Sequence, residues 1–431
     1  MPPKVIDIDS ELDTIYKGDK KGLERIKKVI GLQTRHITEK HITASDLGLQ
    51  AATRLLESLE VERDSIDVLI FVTQSPDYFC PASACYLQGK LGLSKSCLSF
   101  DINQACAGYL YGLYVAHSLC DSGSANRVLL IVGDTLSKFV NPLDSNLAPM
   151  MGDGVSATLL ERNLAGHSAC GDFLGNAAPT SLRRMSNLQV WISPTATSPH
   201  SLTLHNPKNS PTILECQDSS DTESRADFNN STNTTAEVSL SEQSAKSIKE
   251  ATQNKHYFEL GSDGSKFHQL IIPEGACRIP TKEIITDSKV WQTSETRSLK
   301  DLYMDGAEIF SFAVSTYPKT FQGIIDYAQC DKEAIDYFFF HQANKYIVDN
   351  ITRSLGLPKE KVPNTTTNKY GNLSGCSIPA TICDTLAELA SNGLETPLIV
   401  HLAGFGAGLA WGNAVVTLDK GFKCQKVGVY E

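Results

Sequence analysis

No apolar run in the 431-residue chain approaches the roughly 18 residues that cross a bilayer, so no membrane span is expected. The N-terminus, Met1-Pro2-Pro3-Lys4, has no apolar signal core, which points to a cytoplasmic protein. Positive charge is not in excess either. Lys and Arg number 39 against 49 Asp and Glu, a net of −10, which leaves no basic stripe to displace phosphate counterions and argues against a nucleic-acid binder. Among twelve cysteines there is no Cys-x-x-Cys pair, so neither a zinc site nor a redox dithiol is indicated and no metal is expected. In a reducing compartment most of these thiols are small buried hydrophobes, and the question is which one differs.

What is present is an alternation of short apolar runs with helix-length segments. Asp67 to Thr73, Leu98 to Phe100, Val128 to Val132 and Ser156 to Glu161 read as strands, with Cys80 to Leu91 and Cys106 to Cys120 as helices between them. The pattern returns late in the chain, with strands at Tyr337 to Phe340, Leu398 to Ala403 and Ala410 to Leu418 and a helix over Asn344 to Leu355. Two similar halves predict a duplicated α/β layout with one central site. The expected divisions are an N-terminal half over 1–162, an insertion over 163–255 and a C-terminal half over 256–431. The middle segment is rich in Ser, Thr, Asn and Pro with little periodicity, which predicts a flexible surface insertion or a partner-docking arm.

In Asp101-Ile-Asn-Gln-Ala-Cys106-Ala-Gly108, a strand ends, small residues turn tightly and an apolar helix begins at the cysteine. Free N–H groups and the positive end of the helix dipole favour a thiolate there, although a packed core cysteine fits the same pattern. Phe338-Phe-Phe-His341 places a histidine directly after a strand, at what reads as the counterpart of Cys106 in the other half. Tyr370-Gly-Asn372 places an amide in a glycine-flanked turn before a second apolar helix. All three lie where strands hand over to helices, the edge at which α/β folds assemble sites. The run Ala403-Gly-Phe-Gly406-Ala407-Gly408 permits a tight turn or aims N–H groups at a reacting carbonyl, and its spacing is not that of a dinucleotide loop.

Together these segments resemble the thiolase superfamily, and within it the β-ketoacyl-acyl-carrier-protein synthases of type III. The resemblance also takes in Gly31-Leu-Gln-Thr-Arg-His-Ile37, Pro81-Ala-Ser-Ala, Gly152-Asp-Gly154 and Met304-Asp-Gly-Ala-Glu308. It implies two βαβαβ halves in a five-layer α-β-α-β-α body and an acyltransferase without a cofactor. Acyl-CoA or acyl-carrier-protein thioesters and a malonyl thioester are the implied substrates, with a carrier protein and a second copy of the chain as partners. By the same resemblance Cys106 carries the acyl group, the N–H groups of Cys106 and Ala407 form the oxyanion hole, and His341 and Asn372 stabilise the enolate formed as carbon dioxide leaves. Phe79, Cys80 and Phe405 would line the acyl pocket, and Asn344, Lys345 and Arg353 would meet the pantetheine arm and its carrier protein.

The sequence departs from the family in three places. Arg25, Val29 and Ser145 stand where the bacterial type III enzymes have the Trp and two Arg that clamp a CoA nucleotide, so a carrier-bound primer or a different CoA pose is expected. Cys80 stands where a bulky Phe closes the pocket, which leaves room for a longer or substituted acyl chain. The family's first strand would precede Pro2-Pro3-Lys4, so either a remodelled edge or a misassigned start codon is expected there. Two other readings stay open: acyl transfer to oxygen or nitrogen of a small molecule, and a non-catalytic homologue acting as a binding partner.

Overall fold

The computed structural model describes residues 1–162, 256–281 and 297–428, together with the backbone strand Met185–Ile192. The expected insertion over 163–255 lies outside the described residues apart from that strand.

Strand β1 (Lys4–Asp7) pairs with β2 (Thr34–Ile37) around helix α1 (Lys20–Ile30). Then come α2 (Ala44–Ser58), β3 (Val68–Val72), α3 (Ser83–Leu91), β4 (Leu98–Ile102), α4 (Gly108–Asp121), β5 (Arg127–Asp134), β6 (Gly154–Arg162) and β7 (Met185–Ile192). The first large sheet has the order β4-β3-β5-β6-β7, with β3 parallel to β4 and β5 and the remaining pairs antiparallel. Because β7 completes it, the N-terminal sheet continues past the boundary expected at 162.

The C-terminal part runs through β8 (Tyr257–Ser262), the short β9 (Leu270–Ile271) and β10 (Tyr303–Met304), and α5 (Gly306–Ala328). It continues through β11 (Tyr337–Phe340), α6 (Lys345–Ser354), α7 (Thr366–Tyr370), α8 (Ser377–Ala390), β12 (Leu398–Gly406) and β13 (Ala410–Leu418). Its sheet has the order β11-β12-β13-β8, again with a parallel pair leading into antiparallel ones.

Period-two side-chain alternation decides how the sheets stack. Val68, Ile70 and Val72 of β3 share one core with α4, α8 and Val400 and Leu402 of β12, so these two helices form the central layer between the sheets. Leu69 and Phe71 point the other way, onto α2 and α3. Phe338 and Phe340 of β11 face α5 and α6 on the far side. The result is the five-layer α-β-α-β-α stack.

Local chemistry fixes the helix starts. Thr43 and Asp46 form a reciprocal capping box on α2, Asp305 caps α5 and Asn344 caps α6, each such cap contributing about 1 kcal/mol. Helices α4 and α8 have no side-chain cap. Their free N–H ends meet at the centre of the molecule.

Candidate active site

Cys106 occupies a 3-10 turn, Ala105–Ala107, between β4 and α4. Ala105 has φ 45°, the left-handed region that a side chain enters only under strain. The other half repeats the device: Ser374 has φ 53° in the turn Ser374–Cys376 that leads into α8. A β-carbon on Gly375 would meet the Ala105 carbonyl oxygen at 3.0 Å, so the two elbows touch. The counterpart of the Cys106 elbow is therefore Ser374–Gly375 and not His341. His341 follows β11, whose equivalent in the first half is β3, and β3 is followed by Thr73 and Gln74.

Strand β12 passes the nucleophile edge-on. A β-carbon on Gly404 would lie 2.9 Å from the Cys106 carbonyl oxygen, and one on Gly406 would lie 2.8 Å from Cys106 Cβ and 3.2 Å from its Sγ. Close approach, more than turn formation, is what these glycines serve. Ala407 follows at once, in the β12–β13 connection.

The Ser374–Ser377 segment touches each of the three residues singled out from sequence. The Ser374 N–H donates to Asn372 Oδ1 at 2.9 Å, which leaves the Asn372 amide hydrogens for the site. Ser374 Oγ lies 3.7 Å from Cys106 Sγ, and Ser377 Oγ lies 2.6 Å from His341 Nδ1. Burial holds His341 down at about 4, with a hydrogen bond to the Ser374 carbonyl acting the other way, so the ring is neutral near pH 7. Phe405 packs edge-on against it, ring centres 5.6 Å apart.

At Cys106, which is half-buried, desolvation opposes the thiolate expected from the helix start. Burial pushes the thiol up to about 12, the Ser374 hydroxyl opposing and the charge of Asp134 assisting. Desolvation of a small anion outweighs the helix end here. Cys376, close by in sequence to Asn372, is a core residue with no exposure.

A cavity of about 630 Å³ opens at Val29, Phe310 and Tyr346 and reaches Asn344 and Asn372. Asn344 Oδ1 is occupied, accepting from Ile347 N at 2.8 Å as the cap of α6, so only its NH2 group is left for a ligand. Lys345 is tied to Asp349, and Arg353 donates to Asn350 Oδ1 at 3.2 Å. Phe79 and Cys80 are not brought to Cys106 within one chain. They lie on an exposed loop, Phe79 at 76% exposure.

Sequence reasoning missed Gln74, Asp134, Ser374 and Ser377, and also Arg297, whose guanidinium pairs with buried Asp144 in the cavity wall. Gln74 and Asp134 both stand at C-terminal ends of apolar strands, and applying the strand-end rule to every strand would have found them. No comparable signal marks Arg297, which is 153 residues from its partner.

Models of 3-Oxoacyl-[acyl-carrier-protein (ACP)] synthase III and of its C-terminal part match residues 100–176 and 325–418. A Campylobacter jejuni protein provisionally named 3-oxoacyl-[acyl-carrier-protein] synthase 3 is 40% identical over 96% of this chain and 91% of its own length. The Rhodopirellula baltica beta-ketoacyl-[acyl-carrier-protein] synthase III is 31% identical over 89% of this chain and 87% of its own. The crystal structure of a 3-oxoacyl-(acyl-carrier protein) synthase from Burkholderia xenovorans superposes with a TM-score of 0.72 at 28% identity, covering 100% of this chain and 94% of that one.

Proposed function

The chain belongs to the 3-oxoacyl-[acyl-carrier-protein] synthase III family of condensing acyltransferases, and on that premise we propose that Cys106, His341 and Asn372 divide the reaction between them. Cys106 attacks an acyl thioester, forming the Cys106 thioester while the departing carrier thiol takes the proton. The oxyanion of that step is held by the N–H groups of Cys106 and Ala407. A malonyl thioester then enters, its C–CO2 bond breaks, and the electron pair moves into an enolate whose oxygen accepts from Asn372 Nδ2 and from the Nε2–H of neutral His341, the tautomer in which the Ser377 hydroxyl donates to Nδ1. The enolate carbon attacks the acyl carbon, a C–C bond forms, and the Cys106 thiolate leaves and takes up one proton from solvent, the original one having left with the carrier thiol.

The observation that carries this reading is the orientation of Asn372. Its carbonyl oxygen is committed to Ser374, and the residue lines the cavity. Its donors therefore face the place where enolate charge develops. A neutral His341 beside it adds no competing carboxylate.

The primer arrives on a carrier protein. Arg25, Val29 and Ser145 supply neither a stacking ring nor a paired guanidinium clamp at the entrance, and Val29 is 42% exposed there. Around the entrance Lys20, Lys21, Arg25 and Lys28 of α1 are exposed and form no ion pair among the described residues. With Lys345 and Arg353 of α6 they suit an acidic carrier protein. A second copy of the chain pairs along β4, which is the edge of its sheet and carries Leu98 at 54% exposure. It brings its own Phe79 and Cys80 loop to the acyl pocket, and the small Cys80 leaves space for a longer or substituted acyl chain. The described residues contain no helix long and apolar enough to cross a membrane, which is in keeping with a cytoplasmic site of action; the steps above use side chains and backbone N–H groups of the chain alone.

The test is to incubate the purified protein with acyl-CoA and acyl-carrier-protein panels, read the intact mass, and measure carbon dioxide released from malonyl carrier protein. An adduct at Cys106 is expected, favouring carrier-bound donors. Asn372→Ala should retain the adduct and lose about 10²- to 10³-fold in condensation. An adduct without decarboxylation would point to acyl transfer instead, and the lack of any adduct would refute the proposal.

A further inference from the structure

Between β3 and the nucleophile runs a chain of hydrogen bonds that the steps above do not use. Asp134, buried at the end of β5, accepts from Thr73 Oγ1 at 3.0 Å, from the Gln74 N–H at 2.6 Å and from Ser75 Oγ at 3.3 Å. These contacts fix the carboxylate. Gln74 Nε2 has two hydrogens and two acceptors: Asp134 Oδ2 at 3.2 Å and Ser374 Oγ at 2.8 Å. Its orientation follows, because a flipped amide would set its carbonyl oxygen against the carboxylate.

Ser374 Oγ thus receives a hydrogen from Gln74, and its own proton must be aimed elsewhere. The next acceptor along the chain is Cys106 Sγ, 3.7 Å away. We propose that the Ser374 hydroxyl is a catalytic hydrogen-bond donor to the Cys106 sulfur, and that Gln74, locked by Asp134, is the positioning residue that turns it there. The donor stabilises negative charge on sulfur twice in each cycle, as the thiol is deprotonated for attack and as the thiolate departs from the condensed product. No proton is transferred along the chain. It orients one donor within a site where burial disfavours the anion, so that a single hydrogen bond has a large effect.

The inference rests on Cys106 being the nucleophile but not on which thioesters it accepts, and its test needs no substrate. The pH dependence of Cys106 alkylation by iodoacetamide, followed by the mass of the proteolytic peptide that carries Cys106 so that the exposed Cys80, Cys85 and Cys277 do not contribute, reports the thiolate. Ser374→Ala should lower the rate at neutral pH about tenfold, equivalent to one unit in the thiol pKa. Gln74→Glu should do the same: held beside Asp134, its carboxyl shares a proton with that carboxylate and presents its other oxygen to Ser374 as an acceptor, which draws the Ser374 proton away from sulfur. Gln74→Met, which removes the amide without offering an acceptor, should fall between these variants and the wild type. That ordering is the readout a packing role would not produce, and the Gln74 variants keep the test open if Ser374→Ala fails to fold. Alkylation profiles superimposable on the wild type in folded variants would overturn the proposal, as would Gln74→Glu reacting as fast as the wild type. A wild-type protein that alkylates normally yet never condenses malonyl carrier protein would instead sink the functional reading and leave this one standing.

Discussion

Replacing Gly406 with alanine tests the close approach of β12 to the nucleophile. The added β-carbon would lie 2.8 Å from Cys106 Cβ, 3.0 Å from its amide nitrogen and 3.2 Å from Sγ, whereas carbon pairs rest at about 3.5 to 4.0 Å. Nothing at the contact is the free end of a flexible side chain. Cys106 lies on the strained elbow and Gly406 within a paired strand, so relief requires the elbow and strand to separate by roughly 0.7 to 1.2 Å. Overpacking of this kind costs about 1 to 3 kcal/mol in stability. The loss in rate should be larger, because a displacement near 1 Å is worth about 10²-fold when a nucleophile must meet both its substrate and its oxyanion donors. The assay is the rate of acyl-Cys106 formation by intact mass, with thermal melting in parallel. Gly89→Ala serves as the control: nothing lies within 4 Å of the new carbon, and an alanine in the last turn of α3 should stabilise by at most about 0.5 to 1 kcal/mol with acylation unchanged. Wild-type acylation in Gly406→Ala would refute the argument that steric exclusion sets this geometry.

Two further outcomes concern stability. Arg35 makes a buried two-pronged pair with Glu11, at 2.6 and 2.5 Å, and its Cβ abuts Gly371 beside Asn372. Glu11→Ala should therefore lower unfolding stability by about 3 to 5 kcal/mol in denaturant titration, with the double variant that also carries Arg35→Met losing less. The buried imidazoles predict acid sensitivity. Burial holds His341 at about 4 and His401 at about 3, below the ordinary value near 6.5 that the unfolded chain regains. A depressed folded value means stability that is complete above about pH 6.5 and is lost as pH falls towards 4, by about 3 kcal/mol for His341 alone. Denaturation midpoints that stay level from pH 7 to 4.5 would contradict this, and no titration of condensation near pH 6.5 should be traceable to His341.

Much of the layout is legible in the sequence because it rests on local periodicity. The runs at Val68–Val72 and Tyr337–Phe340 and the apolar helix behind Cys106 can be read without knowing what they pack against, and the repeat of the pattern announces two halves. Cys106, His341 and Asn372 are legible for a related reason: each stands near small residues at the start or the end of an apolar run. The same logic failed at β7, which lies within a segment of polar composition. It also misjudged the symmetry, pairing His341 with Cys106, since only the strand order shows that β11 corresponds to β3 and that Ser374–Gly375 is the second elbow.

Cysteine 106 shows where that division falls. Composition and spacing by themselves determined the elements, their duplication and which thiol stands at a strand-to-helix elbow, because these depend on neighbours a few residues apart. Tertiary structure alone decided the state of that thiol. Desolvation between two sheets disfavours its anion, and the groups that act on it, Ser374 and Gln74, come from positions 268 and 32 residues away in the chain. Desolvation and hydrogen-bond direction are properties of the assembled core, and no local pattern encodes them.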